Sequence, residues 1–172
     1  QNLELCIADG SGEEDSARAV IESYRGQDSR IRYEKLSRNL GISGNTNAAL
    51  SLATGEYLAL LDHDDVLEEH ALFEIVKWLS AHPETDMLYS DEDKLTSDSS
   101  VYFQPHFKPD FNPELLRSNN YICHLLVVRR NLLEKAGMYR EEFDGAQDYD
   151  FILRCSEQAE AIGHIPKILY HW

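Results

Sequence analysis

Short apolar runs and helix-spaced stripes alternate along the first half of the chain. Leu3–Ala8 is an apolar run that stops at the turn signal Asp9-Gly10-Ser11-Gly12. Glu13–Tyr24 repeats Ala17, Val20, Ile21 and Tyr24 at the spacing of one helix face. Ile31–Leu36 alternates as a strand, and Asn45–Ala53 reads as a helix rich in Ala and Leu. Glu56–Leu61 is a buried strand that ends in Asp62-His63-Asp64-Asp65. Glu68–Ser80 places Leu72, Ile75, Val76 and Leu79 on one stripe, and Asp86–Ser90 is a further strand. Strands alternating with helices of about 10–15 residues predict an α/β fold, a mainly parallel sheet with helices on both faces.

The second half is less regular. Pro105, Pro109, Pro113 and the Ser-rich turn 97–100 mark residues 94–113 as loop. Tyr121–Arg129 reads as a strand, Arg130–Ala136 as a short helix stopped by Gly137, Tyr149–Ala159 as a helix and Ile165–His171 as a last strand. This half looks like a lid or acceptor region packed on the sheet. The expectation is one domain over 1–172, with a first half 1–93 and a second half 94–172.

Composition narrows the classes. The 172 residues carry 31 Asp and Glu against 16 Lys and Arg, a net charge of −15. A nucleic-acid binder needs a basic face for phosphates, so that class is excluded, and unaided attachment to anionic lipid is disfavoured. No apolar run approaches the ~18 residues of a membrane span, and the first residues do not read as a signal peptide. Cys6, Cys123 and Cys155 are odd in number and each lies in apolar context, which predicts buried free thiols in a reducing compartment. The acids are clustered: windows 62–69, 86–98 and 141–150 hold 15 of the 31. Like charges that close repel, and either solvation or a bound cation must offset the cost.

In open α/β sheets ligands bind beyond the carboxyl ends of the strands, and Asp9, Asp62–Asp65 and Asp91–Asp93 all fall there. Asp62-His63-Asp64-Asp65 delivers carboxylates from a strand into a tight turn. It suits either a hard divalent cation or an acidic turn before the helix near Glu68. Asp148, in Gly145-Ala146-Gln147-Asp148-Tyr149-Asp150, suits a general base or a first-turn helix acid. His171 suits a metal ligand or a half-buried ring beside Trp172. His63, His106 and His124 are further possible ligands, but no spacing gives a zinc site. Asn39-Leu40-Gly41-Ile42-Ser43-Gly44-Asn45-Thr46-Asn47 enters a helix, whose amino end favours anions. It reads as a nucleotide contact through residues such as Asn39 and Asn47, or as an ordinary turn.

Ala8-Asp9-Gly10-Ser11, Asn39-Leu40-Gly41, Gly55-Glu56-Tyr57, Leu61-Asp62-His63-Asp64-Asp65, Tyr89-Ser90-Asp91-Glu92-Asp93, Gly145-Ala146-Gln147-Asp148-Tyr149-Asp150 and Tyr170-His171-Trp172 occur in that order. Taken together they resemble the family 2 glycosyltransferases, which have the GT-A nucleotide-sugar-binding fold. Among these the chain is similar to bacterial enzymes of O-antigen and surface-polysaccharide assembly, rhamnosyltransferases included.

The resemblance implies a metal-dependent inverting transfer from a nucleotide-diphosphate sugar to a glycan or lipid-linked acceptor. It implies Mn²⁺ or Mg²⁺ on Asp62, Asp64 and His171, with Asp62 also near the ribose. It assigns Asp9 to the nucleotide base, Asp148 to the acceptor proton, and Asp91, Asp93 and Gln147 to the sugar and acceptor pocket. It places the protein in the cytoplasm or at the inner face of the plasma membrane.

Three departures stand out: Ala8 where a second Asp is common, Thr46 where an Arg is common, and Gln147 where a Glu is usual. A fourth is that the family's first strand has no counterpart before Leu3–Ala8. That implies an amino-terminally truncated domain with unpaired strand edges, covered by self-association or a partner segment. The alternatives are a sugar-nucleotide nucleotidyltransferase, or a non-catalytic sugar- or nucleotide-binding fragment of a larger enzyme.

Overall fold

In the computed structural model, which describes residues 2–13 and 16–172, the chain divides into two compact units. One holds residues up to Leu58 together with Gly137–Phe151; the other holds Ala59–Ala136 and Ile152–Trp172. These boundaries differ from the expected halves, because the chain returns to the first unit after Gly137.

The first unit is built on β1 (Leu5–Asp9) and β2 (Ile31–Lys35), a parallel pair in the register Leu5↔Ile31 to Asp9↔Lys35. α1 (Ser16–Arg25) connects them, and α2 (Gly41–Leu52) follows β2. Part of the expected helix 13–24, residues 14 and 15, lies outside the described residues. The apolar stripe of α1 is largely exposed, with Val20 and Tyr24 open to solvent. Among the described residues β1 pairs with β2 alone.

Leu36 and Leu50 are buried in this unit, as are Tyr139 and Phe151, whose rings stack at 4.5 Å. α2 begins four residues before the expected Asn45. Gly41 makes the early start possible with φ +78°, where a Cβ would meet the Asp144 carboxylate at 2.9 Å.

The six-stranded sheet has the order β3-β7-β5-β8-β4, with β6 also on β5. Its strands are β3 (Tyr57–Ala59), β4 (Val66–Leu67), β5 (Met87–Leu95), β6 (Tyr102–His106), β7 (Leu126–Arg129) and β8 (Ile162–His171). The helices of this part are α3 (Ala71–Ala81), α4 (Pro113–Ser118), α5 (Arg130–Ala136) and α6 (Gln147–Gln158), which begins in the first unit. The sheet is mixed, not mainly parallel: β5 runs parallel to β8 but antiparallel to β6 and β7, and β4 is antiparallel to β8.

Two strands and a helix lie where the sequence reads as loop or turn. β4 is two residues long, too short for a pattern. β6 pairs with β5 despite Pro105, which a strand at the margin of a sheet tolerates. α4 starts at Pro113, capped by Asn112, whose side chain accepts from the Leu115 amide. β5 runs five residues past the expected Ser90, so Asp91, Glu92 and Asp93 lie inside a buried strand.

No helix among the described residues is long and apolar enough to cross a membrane. The cysteines are free thiols, but only Cys155 is buried; Cys6 and Cys123 are partly exposed, which corrects the expectation for those two. Burial pushes the Cys155 thiol up to about 12, which keeps it protonated and unreactive.

Leu88, the second residue of β5, has 1% exposure. Leu88→Ala should cost about 2–5 kcal/mol, read as a lower urea midpoint at unchanged m value.

Candidate active site

In the second unit, the acid turn that follows β3 is set by two strand pairings. The Leu60 amide donates to the Leu126 carbonyl, which brings the end of β3 to the start of β7. After the turn, β4 pairs Val66 with His171 and Leu67 with Tyr170 on β8. The Tyr170 hydroxyl donates to Asp65 Oδ2 at 2.5 Å and accepts from the Asp62 amide at 3.2 Å. The His124 ring stacks on Tyr170 at 4.7 Å and 11°, with its Nε2 3.9 Å from Asp62 Oδ2.

The outcome is a group of three candidate ligands. Oxygens of Asp62 and Asp65 and a ring nitrogen of His124 lie within 4.8 Å of one another. Asp62 is exposed, and Asp65 and His124 are partly buried. Burial raises the Asp65 carboxyl above its ordinary range, and the Tyr170 hydrogen bond opposes that shift. Two carboxylates and an imidazole suit Mn²⁺, which takes oxygen ligands and accepts nitrogen.

The other metal expectations fall elsewhere. The Asp64 side chain is 77% exposed, beside His63. His171 is 5% exposed, with Nδ1 2.5 Å from Asp93 and Nε2 3.2 Å from Glu68. Successive residues of a strand face opposite sides. Tyr170 therefore turns toward the acid turn, while His171 turns toward Asp93, its partner in register.

Asp91 and Asp93 do not line an open rim; they are 2% and 7% exposed. Asp91 accepts from the Lys108 amide at 2.9 Å and lies 2.8 Å from His164 Nε2. Between them Glu92 pairs with Lys108 at 2.9 Å.

In the first unit, Asp9 ends β1, 7% exposed. It accepts from the Ser11 amide at 2.9 Å, the Tyr33 hydroxyl at 2.8 Å and Lys35 Nζ at 3.1 Å. Burial pushes its carboxyl up, but these hydrogen bonds outweigh burial and hold it well below the usual range.

The loop into α2 is closed by the protein's own groups. Asn39 Oδ1 accepts from the Gly41 amide and from Asn45. Asp144 Oδ1 accepts from the Ser43 amide and hydroxyl, so a carboxylate sits at the helix amino end where an anion is favoured. Asn47 uses both ends of its amide on the backbone of Tyr139, at 2.9 Å each.

Asp148 lies in the first turn of α6, partly buried, after Gly145 at φ +98°. Gln147 bridges the turn: Oε1 accepts from the Gly145 amide and Nε2 donates to Asp148 Oδ2, both at 2.7 Å. A Glu at this position would have no such donor.

Asp65, His124 and Tyr170 are the site residues that spacing alone does not single out. Asp65 is visible in the sequence as the last acid of the turn, and His124 as one of three further possible histidine ligands. Tyr170 carried no signal beyond its place one residue before His171.

The glycosyl transferase family 2 profile matches residues 1–137. The chain belongs to this family. The O-antigen biosynthesis protein RfbC of Myxococcus xanthus is 41% identical over 167 residues, covering 97% of this chain and 13% of that protein. The S. aureus TarS structure in complex with UDP superposes with a TM-score of 0.81 at 21% identity, covering 98% of this chain and 50% of that one. The mannosyltransferase PcManGT of Pyrobaculum calidifontis, in complex with GDP-Man and Mn²⁺, gives 0.69 at 19% identity, covering 99% and 47%. The fold is that of the GT-A glycosyltransferases. The chain spans 19% and 13% of the lengths of the first two sequence relatives it matches, and about half of these solved chains.

Asp9 yields a pH test. Its folded-state carboxyl lies below the ordinary 3.8. Its ionised form therefore favours folding above that value, and the contribution is lost as pH falls toward the folded-state value. Wild type should exceed Asp9→Asn in melting temperature near neutrality, and the gap should close below about pH 4. A gap independent of pH would contradict the assignment.

Proposed function

We propose that the chain carries out metal-dependent glycosyl transfer from a nucleotide-diphosphate sugar, with inversion, to a hydroxyl of a glycan or lipid-linked acceptor in surface-polysaccharide synthesis. The observation that carries this reading is the gathering of Asp62, Asp65 and His124 ligand atoms within 4.8 Å, in a chain of glycosyltransferase family 2. Complexes of fold relatives with UDP, and with GDP-Man and Mn²⁺, support a nucleotide-sugar donor and a divalent ion.

In this reading Asp62, Asp65 and His124 hold Mn²⁺ or Mg²⁺, and exposed Asp64 faces the incoming diphosphate beside them. The bound ion supplies positive charge for the diphosphate leaving group. Asp9 reads the nucleotide base from the end of β1. Asp148 takes the proton of the acceptor hydroxyl as its oxygen bonds to the anomeric carbon. The bond from that carbon to the diphosphate breaks in the same displacement, and the nucleoside diphosphate leaves. Gln147 holds one Asp148 oxygen through Nε2 and leaves the other to accept the proton.

Calorimetry with UDP, GDP and dTDP, each with and without Mn²⁺, tests the donor half. Binding that requires Mn²⁺ and is lost in Asp62→Ala is expected. Metal-independent binding, or none, would contradict it. In the full-length protein Asp148→Asn should lower transfer by about 10²–10⁴-fold, the usual worth of a general base, while donor affinity persists. Turnover retained with donor affinity lost would reverse the two roles.

A further inference from the structure

Behind the acid turn lies a buried ion pair, Lys108 with Glu92, that has no part in the chemistry above. The Lys108 side chain is fully buried, with Nζ 2.9 Å from Glu92 Oε2. The same ammonium donates to the carbonyls of Ile122, at 2.6 Å, and His124. Glu92 Oε2 accepts from the His124 amide at 3.2 Å. The pair therefore grips both backbone polar groups of one residue, His124 N–H and His124 C=O. The His124 ring is held separately by the face of Tyr170, whose hydroxyl reaches Asp65 and the Asp62 amide.

Strand pleating explains how this arises. Glu92 stands opposite Tyr170 in the β5–β8 register, so the two share a face. His106, 3.4 Å from the other Glu92 oxygen, completes the carboxylate's surroundings.

We infer that Lys108 and Glu92 are positioning residues that clamp the 122–124 backbone so that His124 presents a nitrogen ligand to the Asp62–Asp65 turn, and that this nitrogen favours Mn²⁺ over Mg²⁺. The inference rests on the metal reading above and deepens it. A bare ammonium buried this completely is costly. A lone apolar residue at position 108 would instead leave the buried Glu92 carboxylate without its ammonium partner. Apolar replacement of both partners avoids leaving one buried charge alone, and here it would free the His124 backbone at the cost of the Ile122 and His124 groups that the pair now satisfies. The melt reads that stability cost, and Mn²⁺ affinity measured well below the melt reads positioning.

Mn²⁺ binding to the whole chain is measured from the loss of the free-ion paramagnetic resonance signal, with Mg²⁺ as competitor. The variants are His124→Ala, the double variant Glu92→Leu/Lys108→Met, and the three changes combined. Thermal melts are recorded in parallel. Loss of a supporting contact around a metal ligand typically weakens affinity about 10–100-fold. The double variant should lose Mn²⁺ affinity by that amount at a temperature where its melt shows it still folded, though its melting temperature falls. His124→Ala should lose as much and bring Mn²⁺ and Mg²⁺ affinities closer together. The combined variant should lose little more, because the changes act through one ligand.

Wild-type affinity in the double variant would overturn the clamp. Wild-type affinity in His124→Ala, with loss in Asp62→Ala, would overturn the nitrogen ligand and leave a metal held by the turn's carboxylates. No Mn²⁺ binding by wild type would overturn both. Hydrogen exchange in the wild type needs no variant: the His124 amide should exchange slowly, and fast exchange would also overturn the clamp.

Discussion

Three consecutive acids inside a buried strand are the constraint around which the larger unit is organised. Asp91, Glu92 and Asp93 are at most 7% exposed, and carboxylates taken out of water need partners. Each has one: His164 for Asp91, Lys108 for Glu92 and His171 for Asp93. The partners come from β8 and from the segment after β6, so satisfying the strand's charges also fixes the elements packed on it. Burial lowers the affinity of the Lys108 ammonium for its proton, and the Glu92 charge opposes that loss. Pairs of this kind add little stability over a well-packed apolar core, while breaking one is expensive. Their effect is to make one arrangement of β5, β8 and the 120–125 segment much better than its neighbours.

Pleating divides the consequences. Asp93 and His171 lie on one face of the β5–β8 pair, and Glu92 and Tyr170 on the other. The second face leads to the acid turn through Tyr170 and His124. The first closes on itself, because both ring nitrogens of His171 meet carboxylates. Adjacent residues at the end of one strand thus serve different ends, one ordering the interior and the other supporting the turn.

This also marks what was legible in the sequence. Hydrophobic period found β1, β2, α3, α5 and α6 to within a few residues, because each follows a simple local pattern. It stopped β5 at Ser90, since a run of acids reads as a strand end. Only the distant Lys108, His164 and His171 make that run an interior strand, and no local pattern reports them. The motif order reached the acid turn, Asp148 and Asp9, which lie where loops leave strands or enter helices. It did not show that Asp65 and His124, with Asp62, are the groups the structure gathers at the turn. That gathering depends on which way a turn folds over Tyr170 and on which face of β8 a side chain leaves.

The net charge of −15 remains to be reconciled with an anionic donor. In the first unit the groups that would receive a phosphate are engaged: Asp144 takes the amino end of α2, Asn47 is spent on Tyr139, and Lys35 is bound to Asp9. Thr46 adds no charge where an Arg is common in the family. A diphosphate brought to such a protein meets more carboxylate than cation, and helix dipoles already satisfied by a carboxylate offer little further attraction. In the proposed function positive charge would come with a bound ion, and the turn that gathers two carboxylates and an imidazole is where the acidity would become an asset. Under the proposed function the acidic composition and a requirement for a divalent cation would be a single property, and donor affinity should follow cation occupancy more closely than it follows any one basic side chain.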